Sequence, residues 1–142
     1  DFKIATSERD YTEREMQPFL EQILAEAAGA DFGCYNMGGI RDHFRAGPVS
    51  ARHVWNIAPF GNAMVTVTGN GRAIKQMLLR EDSEHHRIPE LVDEKEYTVA
   101  TSNFVADQTQ KMLGDQVILN NRLVLVRDVL IDYLKSNGIR ID

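Results

Sequence analysis

The sequence predicts an α+β fold, a layered domain with a small mixed β-sheet flanked by helices. Three observations carry this. Apolar residues recur at helical spacing in an early, a middle and the closing segment. Short runs rich in β-branched residues separate them, and the two kinds alternate without strict βαβ regularity. At 142 residues, 43% hydrophobic and 26% charged, the chain fits one domain able to bury a sizeable core.

Residues 1 to 16 are polar and charged, as in Thr6-Ser7-Glu8-Arg9-Asp10, and read as a tail or an extended lead-in. Phe19, Leu20, Ile23, Leu24, Ala27 and Ala28 share a helical face, with Pro18 in a first-turn position and Gly29 as the stop. Asp31 to Tyr35 has strand character and leads into Gly38-Gly39. Ser50 caps a short helix through Trp55, with Val54 and Trp55 as its apolar contacts. Ala63 to Thr68 reads as a strand entering a turn at Gly69-Asn70-Gly71, and Ala73, Ile74, Met77 and Leu78 mark the next helix. Residues 81 to 96, holding His85, His86 and Pro89, read as a charged surface excursion. Tyr97 to Thr101 is a strand, and Asn103 to Leu113 a helix with Val105, Met112 and Leu113 inward. Gln116 to Leu119 is a short apolar stretch. Val126, Val129, Leu130, Tyr133 and Leu134 then share a face of a closing helix that stops near Gly138.

Several function classes are disfavoured. A net charge of −5 leaves no basic surplus for nucleic-acid phosphates, so no nucleic-acid partner is expected. No apolar run approaches the roughly 20 residues of a membrane span, and no signal-like segment opens the sequence as given. Cys34, the single cysteine, sits in an apolar strand and reads as a buried inert thiol. His43, His53, His85 and His86 show no metal-ligand spacing, so no metal site is expected in this chain. G-x-S-x-G is absent, and Gly69-Asn70-Gly71 lacks the rest of a phosphate-loop pattern.

Two stretches stand out. Asn36-Met37-Gly38-Gly39-Ile40-Arg41 puts two glycines and a guanidinium just past a strand, where backbone meets a ligand closely and a planar donor fork suits carboxylate or phosphate. Ala58-Pro59-Phe60-Gly61-Asn62 puts a phenylalanine in a Pro/Gly-flanked loop. Together they suit an anionic ligand with a flat part. A tight turn, a surface arginine and a phenylalanine plugging a local core fit the same residues. Phe104, just past a strand, reads first as core, yet two loop aromatics at strand ends suit a flat ring between them.

These residues resemble the C-terminal domain of 5'-nucleotidases. The resemblance rests on Gly29-Ala30-Asp31, Asn36 to Arg41, Gly47, Pro59-Phe60-Gly61-Asn62, Val67-Thr68-Gly69, Tyr97 to Ala100 and the closing Val126 to Leu134, in that order. It runs from about residue 13 to the end, which makes 1–12 a lead-in or linker and 13–142 the substrate-binding domain. The resemblance implies a parent enzyme, periplasmic or extracellular, that releases phosphate from nucleoside monophosphates or related esters. Its N-terminal metallophosphoesterase domain, present in cis or in trans, would hold a divalent metal pair, and this chain alone would be inactive. Asn36 and Gly38 would then contact ribose, Arg41 phosphate, Phe60 and Phe104 the two faces of the base, and Asn62 its edge.

Three departures from the family pattern bear on this. The Gly-Gly-Asp-Gly loop expected after the second phenylalanine is replaced by Asp107-Gln108-Thr109-Gln110-Lys111, with Gln110 at the aspartate's position by direct count. Without its glycines this stretch either runs on as helix or is rebuilt so that Asp107 substitutes. Gln17-Pro18-Phe19 stands where Gly-Asn-Leu is usual, with neither Arg9 nor Arg14 in register for a further phosphate arginine, and Met37 replaces a commoner glycine. The departures fit an altered ligand preference. The alternative is a stand-alone ligand-binding or interaction module whose nucleotide pocket is altered or eroded.

Overall fold

A four-stranded mixed sheet and a two-stranded ladder organise the chain in a computed structural model that describes residues 2–81 and 88–142. In chain order the elements are β1 (Lys3–Ser7), α1 (Glu13–Ala28), β2 (Phe32–Gly33), a 3-10 turn at Met37–Gly39, β3 (Gly47–Ser50), α2 (Ala51–Ile57) and β4 (Ala63–Asn70). There follow α3 (Gly71–Arg80), β5 (Glu96–Ser102), α4 (Asn103–Leu113), β6 (Val117–Leu125) and α5 (Val126–Asn137). This is the α+β arrangement expected. The sheet runs β2-β5-β4-β6, with β2 parallel to β5 and the other pairs antiparallel.

Alternation along the central strands sets the layers. Met64 and Ala100 join a core with α1, α2 and α5, whereas Val65, Val67 and Val99 join a second core with α3 and α4. Successive side chains of a strand point to opposite faces, so helices cover both sides. The inward faces foreseen for α3 and α5 hold: Ala73, Ile74, Met77, Val126, Leu130 and Leu134 are all buried.

Local chemistry explains the differences from expectation. The first helix starts at Glu13, ahead of Pro18, because Thr12 and Glu15 form a capping box; Pro18 thus lies inside the helix. Lys3–Ser7, within the expected lead-in, pairs with Gly47–Ser50, a strand that pattern alone did not reveal. No turn interrupts Gly69-Asn70-Gly71: β4 runs to Asn70, whose side chain accepts from the Ala73 N–H at 2.9 Å and starts α3 directly. Ser50 caps α2 as foreseen, but Trp55 is half exposed while Val54 is buried. Met112 likewise points out of α4. Of the short apolar stretch at 116 to 119, Gln116 ends a 3-10 turn at Gly114–Gln116 and Val117 to Leu119 open the nine-residue edge strand β6. His85 and His86 lie outside the described residues.

Candidate functional site

Sheet polarity gathers the distinctive loops at one end. Because β2 is parallel to β5, both finish at the same edge; because β4 opposes β5 and β6 opposes β4, β4 starts and β6 finishes there too. The segments 34–41, 58–62, 103–104 and 125–127 therefore converge. Between them lies a cleft of about 390 Å³ lined by Asn36, Gly38, Gly39, Phe60, Asn62 and Phe104. Its size falls within the range of small-molecule sites. Phe60 is 57% and Phe104 48% exposed, so neither ring plugs a core. Among the described residues the ring–ring contacts are Phe19–Tyr133, Phe32–Tyr97 and Phe44–His53, which leaves both cleft rings unstacked.

Backbone bonds hold the lining in place. Asn36 precedes the 3-10 turn, in which the Gly39 N–H donates to the Asn36 carbonyl at 3.0 Å and the Ile40 N–H to that of Met37 at 3.0 Å. The Asn36 side chain makes no capping bond to the turn and lines the cleft instead. The Arg41 N–H donates to the Ile57 carbonyl at 2.9 Å, tying the loop to the end of α2. On the other side, the Asn62 carbonyl accepts from the Val126 N–H at 2.8 Å. The Ala63 N–H donates to Asn103 Oδ1 at 2.9 Å, coupling the loop of Phe60 and Asn62 to the helix that bears Phe104. Ser102 caps that helix through the Val105 N–H at 3.3 Å.

Of the residues singled out from sequence, Asn36, Gly38, Phe60, Asn62 and Phe104 meet in the cleft. Arg41 stands beside it: its guanidinium carbon lies 5.6 Å from the Phe60 ring centroid, and it makes no ion pair with any described residue. Gln110 is elsewhere. The stretch after Phe104 continues as α4, which sets Gln110 roughly 9 Å along the axis and about 240° around it from Phe104. Gln110 is exposed, and Asp107 is exposed on the same uninterrupted helix. Sequence reasoning missed Gly39 in the lining, although the paired glycines pointed to it. It also missed Asn103, whose partner is 40 residues away and leaves no local signal.

The surroundings are charged but offer no metal centre. Among the described residues no three His, Cys, Asp or Glu side chains are grouped to hold an ion. Burial works against the Asp42 carboxylate, yet bonds from the His43 N–H and Arg45, with the charges of Arg45 and His53, outweigh it and hold its pKa below the usual range. Arg127 lies 4.4 Å over the ring of half-exposed Trp55, a second cation–aromatic pair at this end. Burial pushes the Cys34 thiol well above its ordinary pKa, as suits an inert core residue.

Residues 2–89 match the family model described as 5'-nucleotidase, C-terminal domain. Protein UshA of Salmonella pullorum is 40% identical over 52 residues, covering 37% of this chain and 10% of that protein. The 5'-nucleotidase of Vibrio cholerae is 38% identical over 66 residues, covering 44% of this chain and 12% of that protein. The chain thus matches only about a tenth of the length of these curated relatives. Among solved structures, a 5'-nucleotidase precursor from Thermus thermophilus superposes with a TM-score of 0.82 at 19% identity, over 99% of this chain and 38% of that one. At that identity the superposition speaks for the fold. The matched family model, spanning most of the chain, speaks for descent: this chain belongs to the 5'-nucleotidase C-terminal domain family.

Proposed function

We propose that this chain binds the nucleoside end of the substrate for a 5'-nucleotidase-type metallophosphoesterase, whose metal-bearing catalytic domain lies outside it. The observation that carries the reading is the convergence of two half-exposed phenylalanines and two asparagines on one cleft. Phe60 and Phe104 offer apolar faces to a base, a contact worth roughly 1–3 kcal/mol per base. Asn62 offers both donor and acceptor to its edge, and Asn36 with the glycine backbone suits sugar hydroxyls. Arg41, beside the cleft, suits the phosphate. The whole enzyme would release phosphate from a nucleoside monophosphate or related ester by metal-activated water, and would work in the periplasm or outside the cell.

Calorimetric titration of the full chain with adenosine and AMP tests this. Measurable affinity for both is expected, and no heat with either overturns it. The purified chain with added divalent metal should not hydrolyse AMP; activity that survives a contaminant control overturns the assignment of catalysis to another domain.

One observation favours a modified preference within this reading. Helix α4 carries Gln110 away from the cleft, and no carboxylate is among the residues that line it. A carboxylate accepts two hydroxyl bonds at once, whereas an amide oxygen offers weaker, uncharged ones. The pocket therefore suits recognition through the base and phosphate more than through a sugar diol.

A further inference from the structure

We infer that Gln17 and Glu21 are positioning residues for the cleft, acting together through the backbone of Tyr35. Both lie on α1, are four residues apart and so share a helix face, and are 1% and 6% exposed. Polar side chains buried this deeply incur a desolvation cost that specific bonds must offset. Gln17 Nε2 donates to the Tyr35 carbonyl at 2.7 Å, and Glu21 Oε2 accepts from the Tyr35 N–H at 2.8 Å. The short strand β2 ends two residues earlier, and Tyr35 lies beyond it. Its peptide groups thus take side-chain partners where a longer ladder would supply backbone ones.

Close packing makes the clamp possible. A Cβ on Gly33 would fall on the Glu21 carbonyl, so only glycine lets β2 lie against α1 at this point. Tyr35 in turn supports the cleft. Its side chain is buried, its hydroxyl donates to the Gly39 carbonyl at 3.5 Å, and a Cβ on Gly39 would press on its ring at 3.1 Å. Asn36 follows directly, Gly39 lies against the ring and Gly38 stands between them in the same turn, so three of the six lining residues are set by where Tyr35 is held. The same pair gives Gln17-Pro18-Phe19 a reason to differ from the family's usual signature, since Gln17 supplies half of the clamp.

The binding consequence rests on the nucleoside reading above; the ordering consequence does not. In the full chain, Glu21→Ala should raise amide exchange at residues 35–40 and weaken adenosine binding, each by at least about tenfold. Glu21→Gln keeps an acceptor for the Tyr35 N–H and should retain both to within about threefold. Should Glu21→Ala fail to fold, Gln17→Met, which keeps the volume and removes the donor, is measured in its place with the same expectation. Unchanged exchange at 35–40 in the folded truncation overturns the clamp, as does Glu21→Gln behaving like Glu21→Ala. If wild type gives no heat with adenosine, the nucleoside reading falls while exchange still decides the clamp.

Discussion

Phe60→Ala separates binding from stability because of where the ring sits. Truncating a fully buried phenylalanine costs about 3–5 kcal/mol, but Phe60 is 57% exposed and less than half of that applies. Losing the contact with Arg41, 5.6 Å from the ring centroid, adds about 0.5–1 kcal/mol at an exposed position. A total of about 2–3 kcal/mol lowers the midpoint of a domain this size by roughly 4–12 °C. If the ring stacks on a base, its removal costs roughly 1–3 kcal/mol of binding, about a 5- to 150-fold loss in affinity for adenosine. Calorimetry at a temperature where both proteins are folded measures this directly. Arg41→Ala is the control for chemistry: it should weaken AMP by about tenfold or more and adenosine by much less, because adenosine brings no anion. Wild-type adenosine affinity in Phe60→Ala refutes the stacking argument. Equal losses for AMP and adenosine in Arg41→Ala refute the phosphate role.

The framework around the cleft yields two more expected outcomes. Asn103→Leu leaves the Ala63 N–H without its acceptor and should lower both stability, by about 1–3 kcal/mol, and adenosine affinity, whereas Asn103→Asp keeps an acceptor and should retain both; thermal melts and titrations of the pair check this. Glu15, bonded by Arg9 and the Thr12 N–H, has its pKa lowered to about 2. A depressed carboxylate stabilises the fold above its unfolded pKa, near 4.3, and that contribution disappears as the pH falls through about 2. Melts of wild type and Glu15→Gln should differ at pH 7 and converge below about pH 2; a constant difference across that range refutes the contribution of the Glu15 charge.

Much of the fold could be read from local pattern because the forces concerned are local or periodic. The faces of α3 and α5 repeat at helical spacing, Ser50 caps the helix directly after it, and β4 and β5 are rich in β-branched residues. The start of α1 was also written locally, in the Thr12-x-x-Glu15 spacing, although the proline drew attention further along the helix. Elements whose partners are remote were harder. Strands β1 and β3 are short, polar and stabilised by one another. Strand β6 is an edge, so Ile118, Asn120 and Arg122 face water, and its hydrophobic alternation is weak. Met112 reads as an inward residue by composition, but the rotation of α4 turns it outward.

The cleft divides along the same line. Asn36, Gly38, Phe60, Asn62 and Phe104 were nameable because their motifs and order resemble those of the family, although Phe104 by itself read first as core. Counting positions failed at Gln110, since a count assumes a loop and the chain had already committed to a helix. By itself the sequence determined the family, the α+β class and the chemical types available to a ligand. Only the tertiary structure decided which of them meet. Strand polarity brings four distant loops to one end, and polar bonds from Gln17, Glu21 and Asn103, made across 14 to 40 residues of chain, hold them there. Those bonds depend on distance in space, which no local pattern records.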